Sequence, residues 1–261
     1  MNVKEIELHP GHWKLLNSGA NGILNEVTEA RKVAKRVYEI LQASSVPCTY
    51  FEDNVSSNQR QNINYLVGQH NKDRDGLIVS IHFNAGGNSQ RAIGTEVLYY
   101  DQKTLAERVV KAISEATGSG LINRGAKQRK DLGVLASTYE PAILIEVCFV
   151  NSIVDAAIYR RDFEKICQAI AKELAAYLGR SLTTNQTPAV LPVTIEKKKE
   201  ETEMLYKFNS TTKDDFAKIF KKAYQEGIFK TDHSLKISGY DDEKIYNLFM
   251  SYKLRKELAA K

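Results

Sequence analysis

Along the first two thirds of the chain, apolar and polar residues fall into two alternating rhythms. Residues 5–9 (EIELH) alternate, the period of a strand whose two faces differ. Residues 25–44 carry Val33, Val37, Ile40 and Leu41 at helical spacing. VPCTYF at 46–51 predicts a strand. A more polar helix follows over 57–71, with Ile63, Leu66 and Val67 turned inward. GLIVSIHFNA at 76–85 and PAILIEVCFV at 141–150 are nearly continuous apolar runs, which mark strands buried on both faces. GTEVLYY at 94–100 is a further strand. Helices are predicted over 102–117, with Leu105, Val109, Ile113 and Ala116 on one stripe, and over 159–178. Strands alternating with helices predict an α/β fold built on a mainly parallel twisted sheet flanked by helices.

The texture changes after Leu182. TTNQTPAVLPVTIEKKKEETE combines prolines, small polar residues and a charge run, so residues 183–204 read as a linker joining a domain at 1–182 to a small helical module at 205–261. In that module DDFAKIFKKAYQEG places Phe216, Ile219, Phe220 and Ala223 on one face, with Asp214 and Asp215 in the first turn and Gly227 as a stop. YDDEKIYNLFMSYKLRKEL repeats the arrangement with Ile245, Leu248, Phe249 and Tyr252. So short a module has a slight core, which leaves cell-wall binding and oligomerisation as competing roles.

Composition removes several classes. The net charge of +5 suits contact with an anionic polymer, yet no nucleic-acid motif accompanies it, so nucleic acid is not an expected partner. No apolar run reaches membrane-spanning length, and membrane insertion is not expected. The first residues show no signal-peptide pattern, which predicts synthesis in the cytoplasm without a signal peptide. Cys48, Cys148 and Cys167 lie in apolar contexts at spacings unlike a zinc knuckle, and read as buried thiols.

Candidate chemistry sits where polar residues interrupt apolar strands. His12 follows the first strand, His82 ends IVSIH, and Glu146 interrupts AILIEVCFV. Buried polar groups of this kind cost free energy unless they are paired or bind a metal. Singly, each is an ordinary structural residue. Gathered at converging strand ends, two histidines and a carboxylate match the ligation of a hydrolytic zinc site.

Four motifs then occur in order: HPGHW at 9–13, the glutamate of ILNEVTEARKVAKRVYEIL, SIHFNA at 80–85 and PAILIEVCFVNS from 141. On these, residues 5 to about 180 resemble the zinc-dependent N-acetylmuramoyl-L-alanine amidases, the cell-wall hydrolases of bacterial autolysins and phage endolysins. The resemblance implies Zn2+ held by His12, Glu26 and His82, with Glu29 the competing third ligand. It implies Glu146 as the catalytic carboxylate. Asn84 would brace the His82 loop and Trp13 would form part of the substrate wall, while the loop glycines would let the chain bend around His12. His9 stands where the family has aspartate. It would either orient His12 or be unrelated to the site. Cys148 replaces a family glycine and reads as packing. His70 and His233 receive no role.

The implied activity is cleavage of the amide between N-acetylmuramic acid and L-alanine in peptidoglycan. With no signal peptide in view, the expected role is a phage endolysin that acts at the bacterial wall after release. A sporulation mother-cell autolysin and a non-catalytic peptidoglycan-binding protein are the alternatives. The expected partners are peptidoglycan and a secondary wall polymer. A purine-rich coding stretch before Met204 would also permit an internal start, giving a C-terminal fragment that associates with the full chain.

Overall fold

The computed structural model describes residues 3–183, 210–227, 232–234, 236 and 239. Backbone contacts divide the chain into two compact units, Met1–Asn185 and Gln186–Lys261.

In the first unit a six-stranded sheet runs in the order β2-β1-β3-β6-β4-β5. The strands are β1 (Glu5–Pro10), β2 (Cys48–Tyr50), β3 (Gly76–Asn84), β4 (Thr95–Tyr99), β5 (Asn123–Gln128) and β6 (Ala142–Phe149). β2, β1, β3 and β6 are mutually parallel. β4 runs antiparallel to β6, and β5 follows β4 in parallel. The mainly parallel sheet of the sequence reading therefore carries an inverted pair at one edge.

Helices α1 (Glu26–Ala43), α3 (Lys103–Ala116) and α5 (Ile153–Tyr177) contribute to the larger apolar core. Residues of alternate strand positions, such as Leu77, Val79, Ile81, Ile143 and Ile145, belong to it. The intervening positions point the other way, because side chains alternate across a strand. That second face carries Ile78, Leu98, Ala142 and Leu144, which pack with α2 (Gln59–His70) and α4 (Gly133–Ser137) through Leu66, Val134 and Leu135. By the same alternation it also carries Glu7, His9, Ser80, His82, Glu96 and Glu146. One sheet face is thus an apolar floor and the other a mostly polar workbench.

Four elements depart from the sequence expectation. β5 (NRGAKQ) and α4 lie outside it, because an exposed edge strand has no apolar run to announce it. α5 begins at Ile153 rather than residue 159, capped by Ser152; a non-helical Asp162 interrupts its periodicity. α2 turns Asn62, Leu66 and His70 inward, while Ile63 and Val67 are half-buried. Polar partners decide that rotation: Asn62 Nδ2 donates to Asp53 (2.8 Å), and His70 meets Glu7 and His9. Cys148 and Cys167 are buried and unpaired, whereas Cys48 is only half-buried.

In the second unit, α6 (Ser210–Gln225) buries Phe220 and Ala223, leaves Ile219 half-buried, and is followed by Gly227 at φ 71°. The left-handed conformation there is the reason a glycine ends the helix. The linker, the predicted second helix, Met204 and the side chain of Phe216 lie outside the described residues.

Candidate active site

β1 delivers His12 two residues past its end, β3 carries His82, and Glu26 opens α1 behind the N-cap Asn25. The three groups meet at one carboxylate oxygen. Glu26 Oε1 lies 3.1 Å from His12 Nε2 and 3.0 Å from His82 Nδ1. The imidazoles stand edge to face with centroids 5.1 Å apart. Backbone donors hold the carboxylate in place: Ala20 N–H donates to Oε2 (2.7 Å) and Phe83 N–H to Oε1 (3.1 Å). Glu29, the competing glutamate, lies elsewhere on α1 and accepts from Lys32 (2.9 Å) and Tyr159 (2.8 Å).

Burial alone would raise the Glu26 carboxyl. The bonds from His12 and His82 outweigh it and hold Glu26 well below the usual carboxylate range. Burial lowers His82, with Glu26 opposing. An ionised carboxylate between two imidazoles is the protonation state a divalent cation requires of its ligands. The donor set of two nitrogens and one carboxylate oxygen fits zinc with an open fourth position. Among the described residues these three atoms lie within 4.8 Å of one another.

The glycines act by absence of volume rather than by bending the loop. A Cβ on Gly11 would sit 2.1 Å from His82 Cε1, and one on Gly19 would sit 2.9 Å from both Glu26 Oε2 and His12 Cδ2. The left-handed residue in this loop is His12 itself, at φ 66°. A non-glycine residue in that region is uncommon and costs conformational energy.

Glu146 is the register partner of His82 on one side and of Glu96 on the other. Its Oε2 is buried and has no hydrogen-bond partner among the described residues. Burial, reinforced by the charges of Glu26 and Glu96, pushes its carboxyl up to about 8. Glu96 differs. Burial raises it, but Lys127 and Arg124 (2.7 Å) outweigh that and keep it below the usual range. Asn84 Nδ2 donates to Glu96 (2.9 Å), so Asn84 ties the end of β3 to β4. The sequence reading did not single out Glu96, Arg124 or Lys127. Glu96 interrupts TEVLY as Glu146 interrupts AILIEVCF, and that signal was available.

Trp13 is half-buried, bridged through its backbone to Asp53, with Nε1 buried and without a partner among the described residues. His9 does not orient His12. It is fully buried, its Nδ1 lies 2.9 Å from His70 Nε2, and its Nε2 has no partner among the described residues.

Fold and site together define an α/β protein with a two-histidine, one-carboxylate centre at converging strand ends. The chain belongs to the N-acetylmuramoyl-L-alanine amidase family, whose model matches residues 6–176. An uncharacterized protein of Clostridium perfringens is 34% identical over 163 residues, covering 60% of this chain and 47% of the relative. The chain thus spans about half the length of that curated relative. The N-acetylmuramoyl-L-alanine amidase AmiC2 of Nostoc punctiforme is 25% identical with a TM-score of 0.56, covering 69% of this chain and 100% of that one. The catalytic domain of the CD27L endolysin, which targets Clostridia difficile, shares the fold at TM-score 0.59 and 24% identity, over 69% of this chain and 99% of that one.

Proposed function

We propose that the chain is a zinc-dependent peptidoglycan amidase that hydrolyses the bond between N-acetylmuramic acid and L-alanine. The observation that carries this reading is the meeting of His12, Glu26 and His82 at one oxygen, with Glu146, whose Oε2 has no partner among the described residues, on the neighbouring strand. His12, Glu26 and His82 are the zinc ligands in this reading. Zinc, when bound, supplies a lowered pKa to water and polarises the scissile carbonyl. Glu146 takes a proton from the attacking water and passes it to the leaving amine. A carboxyl raised toward neutrality by burial and by Glu26 and Glu96 is suited to both transfers. Asn84 bonds Glu96 and so steadies the strand end that carries His82. Trp13, beside His12, walls the substrate groove.

Within the amidases we read the protein as a lytic enzyme of the endolysin type, acting on the bacterial wall, and the second unit as its wall-binding module. A sporulation autolysin would use the same chemistry. The test is release of free L-alanine amino groups and of lactyl-bearing glycan from purified Clostridium perfringens walls, with zinc content measured on the same protein. A chain shortened to end at Leu182 keeps cleavage of soluble muropeptides and loses sedimentation with walls. Hydrolysis absent from a zinc-loaded wild type would overturn the enzyme reading in favour of a peptidoglycan-binding protein. A shortened chain that still sedimented with walls would overturn the module's role.

A further inference from the structure

A second donor cluster lies toward the opposite ends of the parallel strands. Glu7 sits in the first half of β1, Glu140 just before β6, and His70 closes α2. All three are buried, and each brings one ligand atom within 4.8 Å of the other two. His70 Nδ1 lies 2.5 Å from Glu7 Oε2. Glu140 Oε1 accepts from Gly76 N–H (2.7 Å), while its Oε2 is buried with no partner among the described residues, in a side chain only 5% exposed. Gly76 leaves the room: a Cβ there would sit 2.3 Å from Glu7 Oε1. Asp73 and Asp75 form a second group of close ligand atoms with Glu140, and Lys4 is spent on Asp75 (2.8 Å).

Two buried carboxylates meet one imidazole here, with no lysine or arginine bonded to Glu7 or Glu140 among the described residues, and a buried carboxyl so placed is either held neutral or coordinates a metal. The imidazole between β1 and α2 shows what is missing. His70 Nε2 faces His9 Nδ1 at 2.9 Å. If His70 donates that hydrogen bond, its Nδ1 presents a lone pair to the oxygen of Glu7, and either a carboxyl proton or a metal ion lies between them. A ligating histidine donates its second N–H to an outer partner in just this way. Burial, with Asp73 and Glu5 adding to it, raises Glu7 to about 7, and burial lowers His70 to about 4 against the pull of Glu140 and Asp73.

We propose that Glu7, His70 and Glu140 form a second, structural divalent-metal site that clamps α2 and the start of β6 to β1, with His9 as the outer acceptor for His70. Two carboxylate oxygens and one imidazole nitrogen suit Zn2+, with water completing the shell. The site shares no ligand with the centre at His12, Glu26 and His82, and does not depend on the amidase reading.

The test is zinc stoichiometry of the full chain after equilibration with Zn2+ and gel filtration, read by plasma emission spectrometry, with circular dichroism on each variant. The wild type is expected to hold two zinc ions per chain. Glu140→Gln, Glu7→Gln and His70→Gln are each expected to hold one, and His12→Ala to keep the distal ion. Zinc added to His12→Ala should raise Tm, and the rise should vanish on adding Glu140→Gln. A wild type that saturates at one ion, lost in His12→Ala, overturns the proposal and leaves the amidase centre standing. One ion lost in Glu140→Gln and kept in His12→Ala supports the distal site and overturns the other. The wild-type count decides even where a variant fails to fold.

Discussion

His82 and Glu146 face each other as register partners across β3 and β6, on the sheet face opposite the main apolar core. Parallel pairing thereby sets a candidate metal ligand and a candidate proton carrier side by side without any contact between them in sequence. The same pairing places Glu96 of β4 on the far side of Glu146, so that this candidate has a carboxylate neighbour across each strand boundary or just beyond it.

Glu146→Gln should retain zinc and lose hydrolysis by about 10²- to 10⁴-fold, the usual worth of a positioned acid–base group. Zinc content and wall hydrolysis measured on one preparation check it. Near wild-type turnover would remove Glu146 from the mechanism.

Glu26→Ala should release the metal, and Glu29→Ala should keep it. The reason is positional: Glu26 Oε1 reaches both imidazoles, whereas Glu29 is engaged by Lys32 and Tyr159. Competition against a chromogenic zinc chelator reads both variants. The opposite ranking would shift the ligand one helical turn along α1.

Gly11→Ala is expected to disturb the centre without replacing a ligand. The new methyl group would fall 2.1 Å from the His82 ring, so the imidazole has to move. Zinc affinity should drop by about 10- to 100-fold, as for other changes that misplace a ligand's support. Unchanged affinity, with the fold intact, would show that the loop yields instead.

The metal-free stability of Glu140→Gln relative to wild type should change with pH in a definite direction. Burial, opposed by Gly76 N–H and strengthened by the charge of Glu7, raises the Glu140 carboxyl to about 7. A carboxyl raised in the folded state contributes stability that is present below its unfolded pKa and is lost as pH rises through about 7. Glutamine mimics the protonated form and suffers no such loss. In excess chelator, Tm of the variant minus Tm of the wild type should therefore grow from pH 5 to pH 8. A difference that is flat across this range would show that Glu140 titrates normally.

Periodicity alone was enough for the alternation of strands and helices, since β3 and β6 are buried on both faces and α1 and α3 carry regular apolar stripes. The order of the four motifs was likewise enough for the family, because HPGHW, the Glu26 helix start, SIHFNA and PAILIEVCF are local patterns. Tertiary structure decided the rest. β5 and α4 are held by pairing and contact with distant segments, not by their own composition. Glu26 rather than Glu29 stands between the histidines because α1 starts against the end of β3, and no local rule measures that approach. His70 carried no motif and was assigned nothing; it gains partners only when α2 lies across β1 and brings it to Glu7 and His9, residues more than sixty positions away. A chain's own pattern reports which faces must be buried, because burial is a property of single residues. Which polar groups meet on those faces depends on register and helix rotation, and these are settled only when the whole sheet has closed over its core.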